Sequence, residues 1–254
     1  MAIDFKGSAQ RLTDMDISFA GHLIGAGEDE FHAVLEVESS GSGFDKQGRP
    51  KILFEPHVFY RCLPAEKRQR AVAAGLAYPE WRRGQYPADS YPRLLKAIEI
   101  DETAALKACS WGLGQILGEN HKACACDTVQ RMVHDATISE GKQLNQMVAF
   151  IRSKKLDDDL KRHDWAGFAR GYNGAGYAAH NYHGRLADAF KRWQRIKDTP
   201  FTIEDLRRRA AQESAIAEAT AKGLGKSPPP PDIEPVEPKP SGWLTSFLSF
   251  LRRY

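Results

Sequence analysis

Residues 31–41 of the chain, FHAVLEVESSG, combine helical periodicity with a glutamate at the point where the helix must end. Apolar residues recur three and four positions apart, at Phe31, Val34 and Leu35, which is the spacing of one buried helix face. Glu38 shares that face. A carboxyl group there loses solvation, so we expect its pKa to rise and the acid to donate a proton near neutral pH. The alternative is that Glu38 only caps or pairs at the helix end.

Two short helices are predicted around this position, from Leu12 to about Ser39. Thr13 is a candidate N-cap, and Asp16 lies at the capping-box distance from it. Gly25 and Gly27 interrupt the pattern and should separate the two helices.

A small β element should follow these helices. A turn at residues 46–48, KQG, leads into a short strand from Lys51 to Phe54. Pro56 disfavours the α region for Glu55, which should therefore lie on extended chain. From about Ala65 to Trp193 the apolar residues again recur at helical spacing. The pattern predicts an α+β fold that is predominantly α-helical, with a small β-hairpin.

The remainder of the chain differs in composition. An Ala-, Arg- and Glu-rich stretch favours an exposed helix, a Pro-rich spacer follows, and the end, WLTSFLSFLRRY, places aromatic and leucine side chains on one face. We predict a main domain over residues 1–198, an exposed helix over 199–225, a Pro-rich linker over 226–242 and an amphipathic helix over 243–254.

The charge and hydropathy of the chain exclude several classes of protein. The net charge is only +3 over 254 residues, and the lysines and arginines are spread out, which is unlike a dedicated nucleic-acid binder. The first residues lack the apolar core of a signal peptide, and no run of about 18 apolar residues predicts a membrane-spanning helix.

The four cysteines predict neither a disulfide framework nor a metal site. Cys124 and Cys126 follow His121, which is suggestive of a metal site, but the spacing differs from the usual zinc knuckle and no second ligand pair follows. The alternative, reduced and partly buried thiols, is preferred. We therefore expect no metal and no cofactor.

Two later segments carry groups suited to a sugar. In SWGLGQI, residues 110–116, Trp111 can stack on a sugar ring and Gln115 can hydrogen-bond its hydroxyl or amide groups. In GYNGAG, residues 171–176, Tyr172 and Asn173 offer a hydroxyl and an amide before flexible glycines. Taken singly, these segments could equally be an ordinary loop-to-helix entry and a helix break.

Together and in this order, the three segments resemble the lysozyme-like superfamily, which includes goose-type lysozymes and soluble lytic transglycosylases. Those proteins carry a Glu-Ser pair at a helix end, then Gly-Leu-Met-Gln, then Ala-Tyr-Asn-Ala-Gly. This chain departs at Gly114, where the pattern has Met, and at Gly174. Over Leu12 to about Trp193 the chain more closely resembles the N-acetylmuramidase family of phage endolysins.

The resemblance implies a lysozyme-like domain with two lobes and a cleft, which cleaves the β-1,4 bond between N-acetylmuramic acid and N-acetylglucosamine in peptidoglycan. By position, Glu38 is then the general acid and Ser39 lies beside it at the substrate. Tyr172 and Asn173 would line the groove, and Gln115 would contact sugar.

A second catalytic carboxylate is less firmly indicated. Glu55 is the candidate base, because it ends the strand that follows the Glu38 helix. The alternative is that Glu55 pairs with Arg49 or Arg61, and Asp45 is the reserve candidate. Without a second carboxylate, the enzyme would be a lytic transglycosylase that forms anhydromuramic ends.

The competing class is a non-catalytic wall-binding or virion protein that keeps the groove. For the enzyme we expect peptidoglycan as partner, no nucleic acid, and a monomer. Residues 243–254 could contact a membrane or instead cover a patch on the domain. The protein is expected in the host cytoplasm until lysis, and then at the periplasm and cell wall.

Overall fold

The computed structural model describes residues 5–39, 41–81 and 86–200, together with nine positions between 202 and 218. The chain separates into a unit of residues 1–199 and a unit of residues 200–254. In the second unit, the Asp205 N–H donates to Thr202 Oγ1 at 3.2 Å and the Thr202 N–H donates to Asp205 Oδ2 at 3.0 Å, which is a capping box. The predicted linker and amphipathic helix lie outside the described residues, and the predicted segment boundaries remain predictions.

The described part of the first unit contains eleven α-helices and three short strands. In chain order they are α1 (Asp14–Ile24), α2 (Glu28–Glu38), β1 (Ile52–Phe54), α3 (Pro56–Cys62), α4 (Ala65–Ala73), α5 (Tyr91–Ile98), α6 (Glu102–Lys107), β2 (Cys109–Trp111), β3 (Ile116–Leu117), α7 (Val129–Ile138), α8 (Glu140–Ser153), α9 (Asp157–Lys161), α10 (Trp165–Asn173) and α11 (Tyr182–Trp193). Short 3₁₀ turns cover Gly118–Asn120 and Ala175–His180.

The helix pair predicted from Leu12 to Ser39 is present as α1 and α2. Thr13 caps α1 and forms the capping box with Asp16, and Gly25 ends the helix in the left-handed conformation (φ 74°). Gly27 is the N-cap of α2. The apolar face of α2 is buried between α1 and α11, as its spacing indicated.

The sheet differs from the predicted hairpin in its pairing. β1 forms where expected, but its antiparallel partner is β2, with Ile52 opposite Trp111, and β3 continues the sheet from β2. The turn at residues 46–48 closes only a single bridge, between Phe44 and Pro50. Pro50 has no N–H to donate, so a ladder cannot continue through it.

The helix α8 is the centre of the core and packs against α1 and α7. Leu144, Met147 and Ile151 on this helix are almost completely buried. The sequence pattern ran without interruption from Thr128 to Arg152, but Ser139 is extended (φ −157°, ψ 156°) and its hydroxyl caps α8 by accepting from the Lys142 N–H. Ser139 therefore divides the stretch into two helices.

The predicted fold class is confirmed, because the domain is mostly helical with one small antiparallel sheet. None of the helices in the described part of the chain is long and apolar enough to cross a bilayer.

Candidate active site

An open cleft of about 410 Å³ lies between the end of α2 and the sheet. Its walls come from the loop after α2, from β1 with the residue before it, from the loop before α5 and from the β2–β3 turn. These walls include Ser39, Lys51, Asp89, Gly112 and Gln115. The sequence segments around Glu38 and Gln115, far apart in the chain, therefore meet at one cleft.

Glu38 is the last residue of α2, and the next residue, Ser39, lines the cleft. Asn173, the last residue of α10, donates from Nδ2 to Glu38 Oε1 at 2.8 Å. Burial raises the pKa of Glu38, and the Asn173 hydrogen bond and the nearby Arg185 guanidinium oppose that rise only in part. Arg185 also donates to the Val37 carbonyl at 3.3 Å, so it satisfies one of the free carbonyls at this helix end.

Tyr172 lies beside Glu38 and is fixed by its hydroxyl, which donates to the Gly114 carbonyl at 3.0 Å. Its ring packs against Phe150 and Phe168. Burial and the neighbouring Glu38 carboxyl raise the pKa of Tyr172. The phenol therefore stays protonated and links α10 to the β2–β3 turn.

Gly114, where the family pattern has Met, has a steric reason to be glycine. A Cβ atom there would lie 2.4 Å from Met147 Cγ and 2.9 Å from the Tyr172 hydroxyl. The thioether of Met147, supplied by α8, thus occupies the space next to the turn.

Gln115 ties the β2–β3 turn to β1 and faces the cleft. Its Nε2 donates to the carbonyls of Gly112 at 2.8 Å and Lys51 at 3.2 Å, and its Oε1 accepts from Ser110 Oγ at 2.9 Å. The residue is exposed and has a positive φ of 45°. The amide is therefore held in place by the protein before any sugar binds.

The two remaining candidate substrate-binding residues, Ser39 and Trp111, differ in their exposure to solvent. Ser39 lines the cleft, and its hydroxyl donates back to the Leu35 carbonyl at 2.6 Å. Trp111 is only 2% exposed, and its indole N–H donates to the Leu106 carbonyl at 3.0 Å. The structure places this ring in the core, packed against Phe5, and not at the cleft surface.

The candidate carboxylates occupy different surroundings. Asp45 lines the cleft, but its Oδ1 accepts from two backbone N–H groups and its Oδ2 accepts from Arg49 Nε at 2.8 Å. Glu55 follows β1, and its Oε2 accepts from the Tyr86 hydroxyl at 2.7 Å and lies 3.3 Å from His57 Nδ1. The alternative considered for Glu55, an ion pair with Arg49 or Arg61, is not the arrangement found: Arg49 pairs with Asp45, and Arg61 pairs with Glu119.

Several residues that support the site were not predicted. Arg185 is one, and Glu140, Gln143 and Met147 on α8 are the others. No local signal in the sequence marks the three polar ones, because a polar residue inside a helical pattern looks like an exposed position. Their role depends on loops that are distant in sequence.

Metal ligands are not grouped in the described part of the chain: no three His, Cys, Asp or Glu side chains are placed to hold an ion. Cys124 and Cys126 are buried, and burial raises the pKa of both thiols. Neither forms a disulfide in this structure.

A mostly helical domain with a small antiparallel sheet and an open cleft has the architecture of a lysozyme-like protein. The chain belongs to the N-acetylmuramidase family, whose model, described as Muramidase, matches residues 28–194. It is therefore a peptidoglycan-degrading glycoside hydrolase, as the sequence predicted.

The fold and sequence are also similar to a solved structure titled "Crystal structure of Burkholderia AP3 phage endolysin". The two chains share 37% sequence identity with a TM-score of 0.68, over 74% of this chain and 73% of that chain. Among curated protein sequences, none matches the chain significantly.

Proposed function

We propose that this N-acetylmuramidase acts as an endolysin and uses Glu38 as its general acid. The hydrogen-bonded, half-buried carboxyl group beside the cleft wall carries the proposal, because burial raises its pKa and so favours the protonated form that a general acid needs. Glu38 donates that proton to the oxygen of the bond between N-acetylmuramic acid and N-acetylglucosamine. The bond from this oxygen to the anomeric carbon of N-acetylmuramic acid then breaks.

Glu55 is proposed as the base that activates water. It directly follows β1, whose residues Ile52 and Leu53 line the cleft, and its own backbone (φ −107°, ψ 99°) continues the extended chain. Its contacts with Tyr86 and His57 both use Oε2, and Oε1 is the oxygen that would take the proton from water. The hydroxyl of that water adds to the anomeric carbon. Asp45 is less suited, because Arg49 and the turn backbone use both of its oxygens.

The experiment compares three glutamate-to-glutamine variants on purified peptidoglycan. Glu38→Gln should lower kcat by about 10³-fold or more, and Glu55→Gln by about 10²-fold, since both remove proton transfer. Glu36→Gln is the matched control, because Glu36 lies on the same helix but is exposed and bonded to Trp193 Nε1. It should retain activity within about twofold.

Each result can contradict part of the proposal. Activity retained in Glu38→Gln would remove Glu38 as the acid. Released muropeptides that lack one water, measured by mass spectrometry, would show transglycosylation and would remove the base role of Glu55. Wall binding by the wild-type protein without any cleavage would favour the non-catalytic alternative.

The partners and the place of action follow from the same proposal. As an endolysin the protein remains in the host cytoplasm until lysis and then degrades the wall, as a monomer that binds no nucleic acid. Residues 243–254 have the sequence of an amphipathic helix with two arginines and are proposed to contact the membrane. Deletion of residues 242–254 should then slow the lysis of intact cells but not the digestion of purified wall; equal loss in both assays would contradict membrane contact.

A further inference from the structure

Two side chains of α8 hold the two loops that border the cleft. The Gly43 N–H donates to Glu140 Oε1 at 2.7 Å, and the Leu113 N–H donates to Gln143 Oε1 at 2.7 Å. Glu140 and Gln143 are each only 2% exposed. The first loop follows the Glu38 helix, and the second is the β2–β3 turn that carries Gln115.

The two loops are also joined to each other through Lys51. The Lys51 N–H donates to the Gly43 carbonyl at 2.8 Å, and the Gly112 N–H donates to the Lys51 carbonyl at 2.8 Å. Hydrogen bonds and short pieces of backbone therefore form a closed ring. The ring begins at Glu140, passes through the cleft wall and returns to α8 one turn later, at Gln143.

Steric contact fixes the same arrangement more tightly. A Cβ atom on Gly43 would lie 1.9 Å from Gln143 Oε1, and one on Gly112 would lie 2.5 Å from the same oxygen. Both loops thus rest directly on one side-chain amide, without room for a side chain of their own. The other end of that amide donates from Nε2 to the Ala136 carbonyl at 2.8 Å, so it cannot turn away freely.

We propose that Glu140 and Gln143 are positioning residues that set the width of the cleft, and with it the placement of the sugar against Glu38. This inference rests on the proposed function of the cleft. A buried carboxylate and a buried amide are expensive to desolvate, and apolar side chains would fill the same space without that penalty. The Oε1 atom of each accepts from a residue that lines the cleft or lies next to its lining.

Gln143→Met tests the proposal against Gln146→Met. Gln146 lies on the same helix, is 6% exposed, and donates from Nε2 to the Met132 carbonyl at 2.9 Å. Each variant removes a buried amide of α8, so both should lose thermal stability, and the loss should be larger in Gln143→Met, which removes two hydrogen bonds where Gln146→Met removes one. Only Gln143→Met releases the cleft loops.

On soluble, uncrosslinked glycan strands the kcat of Gln143→Met should fall at least about tenfold, while its KM changes less than about threefold, because a small misplacement of the sugar strongly reduces reactivity. Gln146→Met should stay within about twofold of wild type in both.

Gln143→Asn keeps the amide but shortens the side chain by one methylene, about 1.5 Å. It serves if Gln143→Met does not fold, and it should also lower kcat more than KM. If the Gln143 variants lose stability like Gln146→Met but keep wild-type kcat, the pair is purely structural and the inference is wrong. That result would not affect the proposed function. Activity retained in Glu38→Gln, in contrast, would contradict the proposed function but would not affect the observed contacts of the loops with α8.

Discussion

Glu38 and Glu140 are two sequestered glutamates of one domain, and they stand at opposite ends of helices. Glu38 is the last residue of α2, its hydrogen-bond donor is the Asn173 amide, and burial raises its pKa. Glu140 is the first residue of α8, and its carboxylate accepts from the backbone N–H groups of Leu12 and Gly43. Arg11 adds an ion pair to Glu140 at 3.2 Å.

Because both residues are glutamates, their different roles must come from their surroundings: the end of the helix on which each lies and the groups that hydrogen-bond to it. The C-terminal end of a helix disfavours negative charge, whereas the N-terminal end and free N–H groups stabilise it. The raised pKa of Glu38 therefore favours a role as proton donor, whereas Glu140 connects loops by accepting hydrogen bonds from their N–H groups. The two acids should respond in opposite ways when each is replaced by its neutral isostere.

Glu140→Gln should give the largest change in stability. The amide keeps one acceptor oxygen, but it presents an NH₂ group to a backbone N–H and leaves that donor unsatisfied in the interior. We expect the free energy of unfolding to fall by about 2–3 kcal/mol at pH 7, measured by urea denaturation. The matched control is Glu102→Gln, at the first position of α6 but exposed, which should change stability by about 0.5 kcal/mol or less. An equal fall in the free energy of unfolding in both variants would contradict the role of Glu140 in holding the two loops together.

The pH dependence of activity should respond to the two groups that oppose the raised pKa of Glu38. A general acid must be protonated, so activity falls as pH rises through its pKa. Asn173→Ala removes a hydrogen bond that stabilises the carboxylate, so the pKa rises further and the alkaline limb of the pH–rate profile moves to higher pH. Loss of this hydrogen bond should also lower kcat by about tenfold through poorer orientation of the acid.

Arg185→Gln should move the alkaline limb in the same direction by a smaller amount, because Arg185 acts on Glu38 through charge and makes its hydrogen bond to the Val37 carbonyl. The measurement is kcat/KM against pH on soluble glycan strands. If the alkaline limb stays in place in both variants, or moves to lower pH, it does not report the ionisation of Glu38.

Much of this arrangement could be predicted from the sequence where the signal was local. The Thr13–Asp16 cap predicted the start of α1, the glycines after it predicted where α2, the helix that carries Glu38, begins, and the apolar spacing of α2 indicated its buried face. The Tyr-Asn pair at the end of α10 was recognised by its order after Glu38. The hydrogen bond from Asn173 Nδ2 to Glu38 Oε1 was found only in the structure.

The remainder depended on distant pairing that no local pattern encodes. The strand at Ile52 was predicted, but its partner at Trp111 is 59 residues away in sequence. The same pairing draws Trp111 into the core, where an aromatic side chain predicted to stack on sugar is instead packed by protein. Gln143 shows why such contacts cannot be predicted from a local pattern. The partners of its amide, the Leu113 N–H and the Ala136 carbonyl, are brought to it only by folding.

The smallest expected effect is a gain in stability in Glu38→Gln, opposite in sign to Glu140→Gln. Since burial raises the pKa of Glu38 in the folded state above its ordinary value of 4.5, the folded state binds the proton more tightly than the unfolded state does. Ionised Glu38 therefore destabilises the fold once the pH exceeds its native pKa, and this penalty is absent below about pH 4.5. Glutamine keeps the acceptor for Asn173 without the charge, so the Tm should rise by a few degrees at most at neutral pH and match wild type in acid. A gain that persists in acid would come from packing, and a loss at neutral pH would mean that the Glu38 carboxylate is stabilised in the fold as Glu140 is.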